Sequence, residues 1–495
     1  MANGSGLRVA FIHPDLGLGG AERLVVDAAA ELVRFGHTVD MYTAFYDPNR
    51  CFEETKTGGF AVRTAGGWFP RHFGGRLMAL CAYIRCVLVA LHIAWRTLWS
   101  PRPDTAPYDV IIADQVAVVV PVVRALMPRS RVLFYCHFPD LLLTQRKSLL
   151  KRLYRAPLDY VEELSTGAAH LVLVNSNYTR GVFKETFRRL AARGMDPGVL
   201  YPAVAIPASQ ELAEAAASWR KDLDPDLVDF IAGGTTFLSI NRFERKKGIG
   251  LAIEALHEVL VMRASGGPGA GGAGSAASSA SASAASAGAG AAAGGPPPRL
   301  VVAGGYDPRL AENVEHLQEL REAAAAMDLR HEVRFLPSFT DRQRTLLLAA
   351  CRAVLYTPQH EHFGIVPLEA MAAARPVVAV NSGGPTESVV SGVTGFLCDP
   401  TPAAFAGAMA ALMGGSSAGG KAGGKEGASS AEEMGAAARA HVEAKFSRRA
   451  FGDALDGYVR GLVVVAGKGK QSSKKAGAEE STKEGAASKK KVELR

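Results

Sequence analysis

Residues 352–371 read RAVLYTPQHEHFGIVPLEAM, and no other stretch says more about the fold. Residues 353–356 predict a short apolar strand, and a helix is predicted to begin near Pro367. Glu361 then lies in the loop after the strand, and Glu369 in the first turn of the helix. In an open α/β sheet, ligands bind beyond the carboxyl ends of the strands, where helix N-termini offer N–H groups to phosphate. Two carboxylates there favour a ligand rich in hydroxyl groups, although either could simply be solvated.

The length and composition of the chain set the limits for this interpretation. A chain of 495 residues is too long for one ordinary core, so two domains are expected. Its six cysteines form no C-x-x-C pair and predict reduced thiols in a cytosol-facing protein. The net charge is +8, but the tail 468–495 alone holds eight Lys and one Arg against four Glu. Most of the excess therefore belongs to a low-complexity tail and does not indicate nucleic-acid binding.

Buried strands alternate with helices along most of the chain, which predicts parallel sheets. Strands are expected in a first set over 7–12, 39–43, 110–113, 132–136 and 171–175, and in a second set over 237–240, 300–303, 333–336, 353–356 and 377–380. We therefore predict an α/β chain of two Rossmann-like, doubly wound domains that face a central cleft. The predicted boundaries are 1–205 for an N-terminal domain, 206–232 for a hinge, 233–445 for a C-terminal domain with low-complexity segments at 264–298 and 414–430, 446–466 for a C-terminal helix, and 467–495 for a disordered basic tail.

Two glycine motifs follow predicted strands. The loop 17–20, GLGG, separates the first strand from a helix, which is a setting where backbone amides meet phosphate. Gly304 and Gly305 end another strand and would allow a nucleotide to approach the backbone closely. The first loop is not a G-x-G-x-x-G motif, so by itself it is a weak indication of a site.

Cationic side chains follow strands as well. Arg242 and Lys247 come just after the strand at 237–240 and could clamp a diphosphate, Arg with a planar fork and Lys as a point charge. His137 lies in the motif FYCHFPD at 134–140, again at a strand end. A single histidine is more often structural than functional, so His137 alone would not predict a site.

Together these motifs resemble those of the retaining GT-B glycosyltransferases of the family 4 type. The resemblance covers roughly residues 7–397 without the low-complexity insert. The wording EHFGIVPLEAM at 361–371 is most similar to that of the dolichol-pathway α-1,3/1,6-mannosyltransferases. The resemblance implies the GT-B fold, in which two Rossmann-like domains face each other across a cleft, with 1–205 as the acceptor domain and 233–445 as the donor domain.

The resemblance also implies roles for individual residues. Arg242 and Lys247 would hold the diphosphate of the donor, and Glu369 its ribose. His137 and Glu361 would be the catalytic residues that contact the transferring sugar. The other donor-binding positions that it implies are Gly19, Gly20, Gly304, Phe363 and Gly364. Since Gly19 and Gly20 would close over the diphosphate from the other domain, catalysis would require domain closure.

The reaction that the resemblance implies is mannose transfer from GDP-mannose with retention of the α configuration. The acceptor would be Man-GlcNAc2-PP-dolichol on the cytosolic face of the endoplasmic reticulum membrane, elongated by an α-1,3 and then an α-1,6 linkage. Other dolichol-pathway glycosyltransferases are candidate partners. No cofactor or site metal is expected, because the D-x-D strings at 222–226 fall in the predicted hinge. Two alternatives stay open: another retaining GT-B transferase with a different sugar nucleotide or lipid acceptor, and a non-catalytic partner in a glycosyltransferase complex.

Residues 77–98 are apolar and long enough in principle to span a bilayer. A single crossing would place strands of one sheet on opposite sides of the membrane, so it cannot build the domain. We therefore predict that the segment lies in the membrane interface or re-enters, with Arg71, Arg76 and Arg85 near headgroups. The alternative is a buried core helix.

Overall fold

The computed structural model describes residues 6–99, 106–143, 148–265, 295–414 and 430–464. The chain divides into two compact units, one of residues 1–203 with 448–495 and the other of residues 204–447. The predictions for the insert, the second low-complexity loop and the basic tail lie outside the described residues over 266–294, 415–429 and 465–495.

The first unit is built on a seven-stranded parallel sheet in the order β3-β2-β1-β4-β5-β6-β7. The strands in the middle of the sheet are buried on both faces, as apolar, β-branched runs of a parallel sheet should be, whereas the edge strands β3 and β7 are partly exposed. The strands are β1 Arg8–His13, β2 Thr38–Thr43, β3 Ala61–Thr64, β4 Val110–Asp114, β5 Arg131–Cys136, β6 Leu171–Val174 and β7 Gly198–Val199. The helices of this part are α1 Gly20–Arg34, α2 Glu54–Thr57, α3 Met78–Trp99, α4 Val119–Leu126, α5 Asp140–Leu143, α6 Leu149–Gly167, α7 Asn177–Thr186 and α8 Arg188–Ala192.

The second unit has a six-stranded parallel sheet in the order β10-β9-β8-β11-β12-β13. Its strands are β8 Thr235–Ile240, β9 Pro298–Gly304, β10 Val333–Pro337, β11 Ala353–Tyr356, β12 Val377–Val380 and β13 Gly395–Cys398. Its helices are α9 Ser209–Asp222, α10 Pro225–Ala232, α11 Gly250–Ala264, α12 Ala311–Ala326, α13 Asp341–Ala350, α14 Ile365–Ala372, α15 Pro385–Ser388, α16 Pro402–Leu412 and α17 Ala431–Lys445, with a short 3-10 turn at Arg245–Lys247.

The chain then forms a last helix, α18, over residues 448–464, which belongs to the first unit. Phe451, Leu455 and Val459 pack into the core on one face of the seven-stranded sheet. Asp456 lies 2.6 Å from Nε2 of His37, which follows α1. The C-terminal helix is thus part of the core of the first unit.

Strand order reverses once in each sheet, and this fixes where ligands can bind. The reversal lies between β1 and β4 in the first unit and between β8 and β11 in the second. Loops that leave the carboxyl ends of two such neighbouring strands run in opposite directions and open a crevice. Each unit therefore has its own switch point for a site.

The structure differs from the sequence-based expectation at residues 206–232, which were predicted as a hinge. They form α9 and α10, and these helices belong to the second unit. Asp224 caps α10 by accepting a hydrogen bond from the backbone N–H of Asp226, and Pro225 takes the first helical position. Asp222 pairs with Arg342 at 2.5 Å. The acidic string is therefore explained by a helix start and an ion pair.

The apolar segment 77–98 forms α3, which packs one face into the core of the first unit with Cys86, Val89 and Ile93. Among the described residues it is the one helix long and apolar enough to cross a membrane by length and composition, and 44% of its apolar window is buried inside the unit. Arg85 was expected near headgroups but is 6% exposed and lies 2.8 Å from Asp15. The alternative prediction of a buried core helix therefore describes the inner face of α3. Trp95 is exposed on another face of the helix.

Candidate functional site

The first unit holds a chain of three polar side chains at its switch point. Asp114 ends β4 and is fully buried, His13 ends the neighbouring β1, and His137 follows β5. Nδ1 of His13 and Nε2 of His137 each lie 2.8 Å from a different oxygen of Asp114. Burial of this carboxyl acts to raise its pKa, but the two imidazoles outweigh burial, so the pKa of Asp114 is lowered. An ionised carboxylate only accepts hydrogen bonds, so both ring nitrogens donate to it.

The loop that carries His137 is held from two further sides. Asn175, just after β6, donates its amide N–H to the carbonyl oxygen of His137 at 3.0 Å. Glu162 of α6 accepts the backbone N–H groups of Asp140 and Leu141, at 2.7 and 3.1 Å. Burial, and next Asp140, raise the pKa of Glu162 to about 7. The position of His137 is therefore fixed by its ring, its carbonyl and the turn that follows it.

The glycine loop of the first unit leads directly into α1. Gly19 is the N-cap residue and has no side chain to occupy the helix start, and Gly20 is the first helical residue. A Cβ at Gly19 would overlap the carboxylate of Glu22, whereas one at Gly20 would meet open space. The N–H groups of a first helical turn are of the kind that can bind an anion, so an anion site at Gly19 and Gly20 stays a prediction.

In the second unit, Lys247 and Glu361 come together at the switch point. Lys247 follows β8 and Glu361 follows β11, and Nζ of Lys247 lies 2.6 Å from Oε2 of Glu361. The hydroxyl of Thr357 donates to the carbonyl oxygen of Lys247 at 2.8 Å, which ties the two loops together. Lys247 ends the 3-10 turn Arg245–Lys247, which precedes α11. Arg242 is more exposed and pairs with Glu244 at 2.7 Å.

Glycines let the backbone segments around this pair approach one another. A Cβ at Gly304 would overlap the carbonyl oxygen of Asn241, which directly precedes Arg242. Gly364 has φ +79 before α14 begins, a conformation that favours glycine. Phe363 is buried, and the backbone N–H of Gly384 donates to the carbonyl oxygen of Glu361 at 2.8 Å. These contacts fix the backbone conformation of the loop 360–364.

Glu369 is placed differently from the sequence-based prediction. Because α14 begins at Ile365 and not near Pro367, Glu369 lies in its second turn. Pro367 is accommodated because the first N–H groups of a helix have no intrahelical partner. Oε1 of Glu369 lies 2.6 Å from Nη1 of Arg344 on α13. Burial raises the pKa of Glu369, although Arg344 opposes the rise. The structure therefore gives Glu369 a protein partner and not a contact with Lys247 or Glu361.

The comparisons with known proteins show the family to which the chain belongs. The family model for Glycosyltransferase Family 4 matches residues 18–193, and that for Glycosyl transferases group 1 matches residues 290–427. The α-1,3/1,6-mannosyltransferase ALG2 of Mus musculus is 45% identical, over 92% of this chain and 96% of that protein. The proteins of the same name from Dictyostelium discoideum (41% identical, 92% of this chain, 98% of that protein) and Saccharomyces cerevisiae (38%, 78% and 72%) are also similar. The chain belongs to the α-1,3/1,6-mannosyltransferase family.

Solved structures identify the fold of this family member. The sucrose-phosphate synthase of Thermosynechococcus elongatus matches with a TM-score of 0.62 at 20% identity, covering 93% of this chain and all 100% of that one. The Anabaena HepE protein, in complex with UDP and glucose, matches with a TM-score of 0.57 at 19% identity, over 92% and 100%. Together with the two parallel sheets, these matches confirm the prediction of a GT-B glycosyltransferase fold.

Three residues that contact the candidate site residues were not predicted from sequence. Asp114 and His13 end neighbouring strands. The rule that ligands bind at the carboxyl ends of strands, which pointed to His137, could have indicated both residues once the strand order was known. Arg344 lies on a helix with no motif around it, and no sequence signal indicated its pairing with Glu369. Over the parts of the chain that the structure describes, no group of three or more His, Cys, Asp or Glu residues is arranged to hold a metal ion.

Proposed function

We propose that this mannosyltransferase takes mannose from GDP-mannose and adds it to Man-GlcNAc2-PP-dolichol, first in α-1,3 and then in α-1,6 linkage. Family membership over nine-tenths of the chain supports the reaction type. The observation that carries the proposal is the Lys247–Glu361 pair at the switch point of the second unit, because it joins a cation for phosphate to a carboxylate for sugar hydroxyls.

Donor binding is assigned to the second unit. Lys247 and Arg242 would bind the diphosphate, and their positive charge would stabilise the leaving phosphate as the glycosidic bond breaks. When phosphate replaces Glu361 as the partner of Lys247, the Glu361 carboxylate becomes free to accept hydrogen bonds from the mannose hydroxyls. Glu369 would bind the ribose either with the carboxylate oxygen that Arg344 does not contact or after its ion pair with Arg344 breaks. Gly304, Phe363 and Gly364 would shape the backbone around the donor.

His137 is assigned to the reacting centre. Since the Asp114 carboxylate accepts a hydrogen bond from Nε2, the other ring nitrogen, Nδ1, is the one left to meet the sugar. Gly19 and Gly20 would bind the diphosphate through backbone N–H groups of the first turn of α1. We propose retention by a front-face course in which the leaving phosphate takes the acceptor proton. In this proposal the positive charges of Arg242 and Lys247 stabilise the leaving diphosphate in place of a metal ion.

The location proposed for the reaction is the cytosolic face of the endoplasmic reticulum membrane. A lipid-linked acceptor has to be met at a membrane surface, and the exposed apolar side chains of α3 are suited to one. Leu91, Trp95, Leu98 and Trp99 are all exposed on this helix. Such residues lie favourably in the headgroup boundary of a bilayer.

The proposal is tested with the full-length protein, a phytanyl-linked Man-GlcNAc2-diphosphate acceptor and either GDP-mannose or UDP-glucose. Lys247→Ala is compared with Lys246→Ala, because Lys246 neighbours it but pairs with Glu244 at the surface. We expect a product two mannoses larger with the wild type and Lys246→Ala, and none with Lys247→Ala. Transfer from UDP-glucose alone would keep the fold and replace the donor. No transfer from any sugar nucleotide would favour a non-catalytic partner.

A further inference from the structure

Helix α6 carries a row of large apolar side chains on its outside. Leu149, Leu150 and Leu153 are 79%, 83% and 78% exposed, although leucine is normally buried. The row continues with Tyr160 and Leu164, also exposed. These positions repeat at helical spacing, so they share one face over a length of about 22 Å.

The inward face of α6 is mostly polar, with Leu158 as its buried apolar residue, whereas an ordinary surface helix turns an apolar face inward. Arg155 is almost fully buried and lies 2.8 Å from Asp140 and 3.1 Å from Asp159. Glu162 is also buried and caps the backbone of the loop after β5. Ionic contacts therefore hold this helix on the unit, and its apolar residues are left for something outside the described chain.

Basic side chains border the apolar row. Lys151 and Arg152 are exposed in the first turn of α6. Near its other end, the guanidinium of Arg189 lies 5.2 Å from the centre of the Tyr160 ring, and the neighbouring Arg188 is exposed. Glu163 accepts the backbone N–H of Arg189, and a second acidic residue, Glu185, is exposed beside Arg188. The border is thus mainly positive, which complements an anionic surface.

The row of α6 begins beside the start of α3. The backbone N–H of Leu80 donates to the hydroxyl of Tyr154 on α6 at 3.1 Å. Met78 and Leu80 of α3 are exposed at this end, and Leu143 of α5 is exposed just before α6 in the chain. The start of α3 therefore lies beside α6 within one unit.

We propose that the outer face of α6, with α5 and the start of α3, rests on an anionic phospholipid surface. Leucines for the acyl boundary, an aromatic residue and a basic border are the features of a helix that lies in a membrane interface. A protein partner is less well matched, because the row offers no hydrogen-bonding group except the Tyr160 hydroxyl. The inference rests on the proposed lipid-linked acceptor and adds a second membrane contact to that of α3.

The test is flotation of the purified full-length protein with vesicles of phosphatidylcholine, with or without phosphatidylserine. Leu150→Ser/Leu153→Ser is compared with Leu310→Ser/Val314→Ser, which changes two apolar residues at the start of α12 in the second unit, 53% and 42% exposed. Neither pair is buried, so both variants should fold. We expect the first variant to lower vesicle partition at least about tenfold, with no loss for the second. Lys151→Glu/Arg152→Glu should abolish the preference for phosphatidylserine.

Activity on a water-soluble Man-GlcNAc2 acceptor separates this inference from the proposed function. Unchanged activity on that acceptor with weakened flotation supports the membrane contact. Equal flotation of the two double-serine variants would overturn it even if both are active. A change from oligomer to monomer in Leu150→Ser/Leu153→Ser, with flotation unchanged, would overturn it in favour of a second copy as the occupant. Flotation that depends on α6 in a protein without mannosyltransfer would reject the proposed function and keep the contact.

Discussion

Replacing Asp114 by Asn tests whether the buried carboxylate orients His137 for the reaction. Asp114 has no exposed side-chain surface and accepts from both His13 and His137 at 2.8 Å. Asn keeps the shape of the side chain but presents an N–H2 group where one oxygen was, so it loses the hydrogen bond to one imidazole. Because the ring of His137 would then be free to take the other tautomer, its group facing the sugar would change.

The size of the effect follows from the bond that is lost. A hydrogen bond to a charged group contributes about 1.5–3 kcal/mol. Since about 1.4 kcal/mol corresponds to tenfold in rate, kcat/KM should fall roughly ten- to a hundredfold if the bond acts in the transition state. The unfolding free energy should fall by about 1–3 kcal/mol as well, because one buried polar group loses its partner.

The assay is a double-mutant cycle with His137→Ala, measured as kcat/KM for mannosyl transfer from GDP-mannose. If Asp114 acts through His137, then Asp114→Asn should lower activity in the wild type but change little in the His137→Ala background. Chemical denaturation of all four proteins checks that each is folded. Equal losses in both backgrounds would refute the reasoning, because Asp114 would then contribute to folding and not to the orientation of His137.

Three further predictions address the donor site, the pH dependence and the backbone. Lys247→Met should lower kcat/KM about a hundredfold or more and weaken GDP binding in calorimetry. The control Lys246→Met should keep kcat/KM within about tenfold of the wild type. Similar losses for both variants would contradict a specific role of Lys247. The pKa of Glu162 is about 7 in the folded protein and about 4.3 in the unfolded chain. Glu162 therefore stabilises the fold fully at a pH below its unfolded pKa, and this stabilisation is lost as the pH rises through about 7. Glu162→Gln should therefore flatten the fall in denaturation midpoint between about pH 5 and 8, and an unchanged slope would contradict the burial argument. Gly304→Ala should reduce soluble expression and stability, because the new Cβ would overlap the carbonyl oxygen of Asn241. Gly305→Ala should be tolerated, because its Cβ would lie at an ordinary contact distance of 3.4 Å from the side chain of Arg242. Equal melting temperatures of the two variants would show that the strand end can shift.

The sequence was sufficient for the central strands of both sheets. The interpreted strands 353–356 and 377–380 agree with β11 and β12, since both are buried on both faces and read as continuous apolar runs. The strands β3, β7 and β13 were missed. They have two to four residues at or near sheet edges, where partial exposure leaves no continuous apolar signal.

The error at the hinge has a local cause. Ala, Asp and Pro suggested a linker, but Asp224 and Pro225 are an N-cap and a first helical residue. For the candidate site, motifs identified single positions at strand ends but not their partners. The pairing of Asp114 with His137 depends on β4 lying beside β5, and that of Glu369 depends on where α13 packs. Such contacts follow from topology, which a single sequence specifies only indirectly.

The two units use the same place in the fold for different chemistry. In each, the polar pair joins the carboxyl ends of the strands on either side of the reversal, His13 with Asp114 and Lys247 with Glu361. The first pair is sealed from solvent and can only position a third group, His137. The second is partly open, so its cation and carboxylate neutralise each other until a ligand separates them. Under the proposed function, a diphosphate that pairs with Lys247 would release Glu361 for the sugar hydroxyls, so the ion pair would couple phosphate binding to sugar binding.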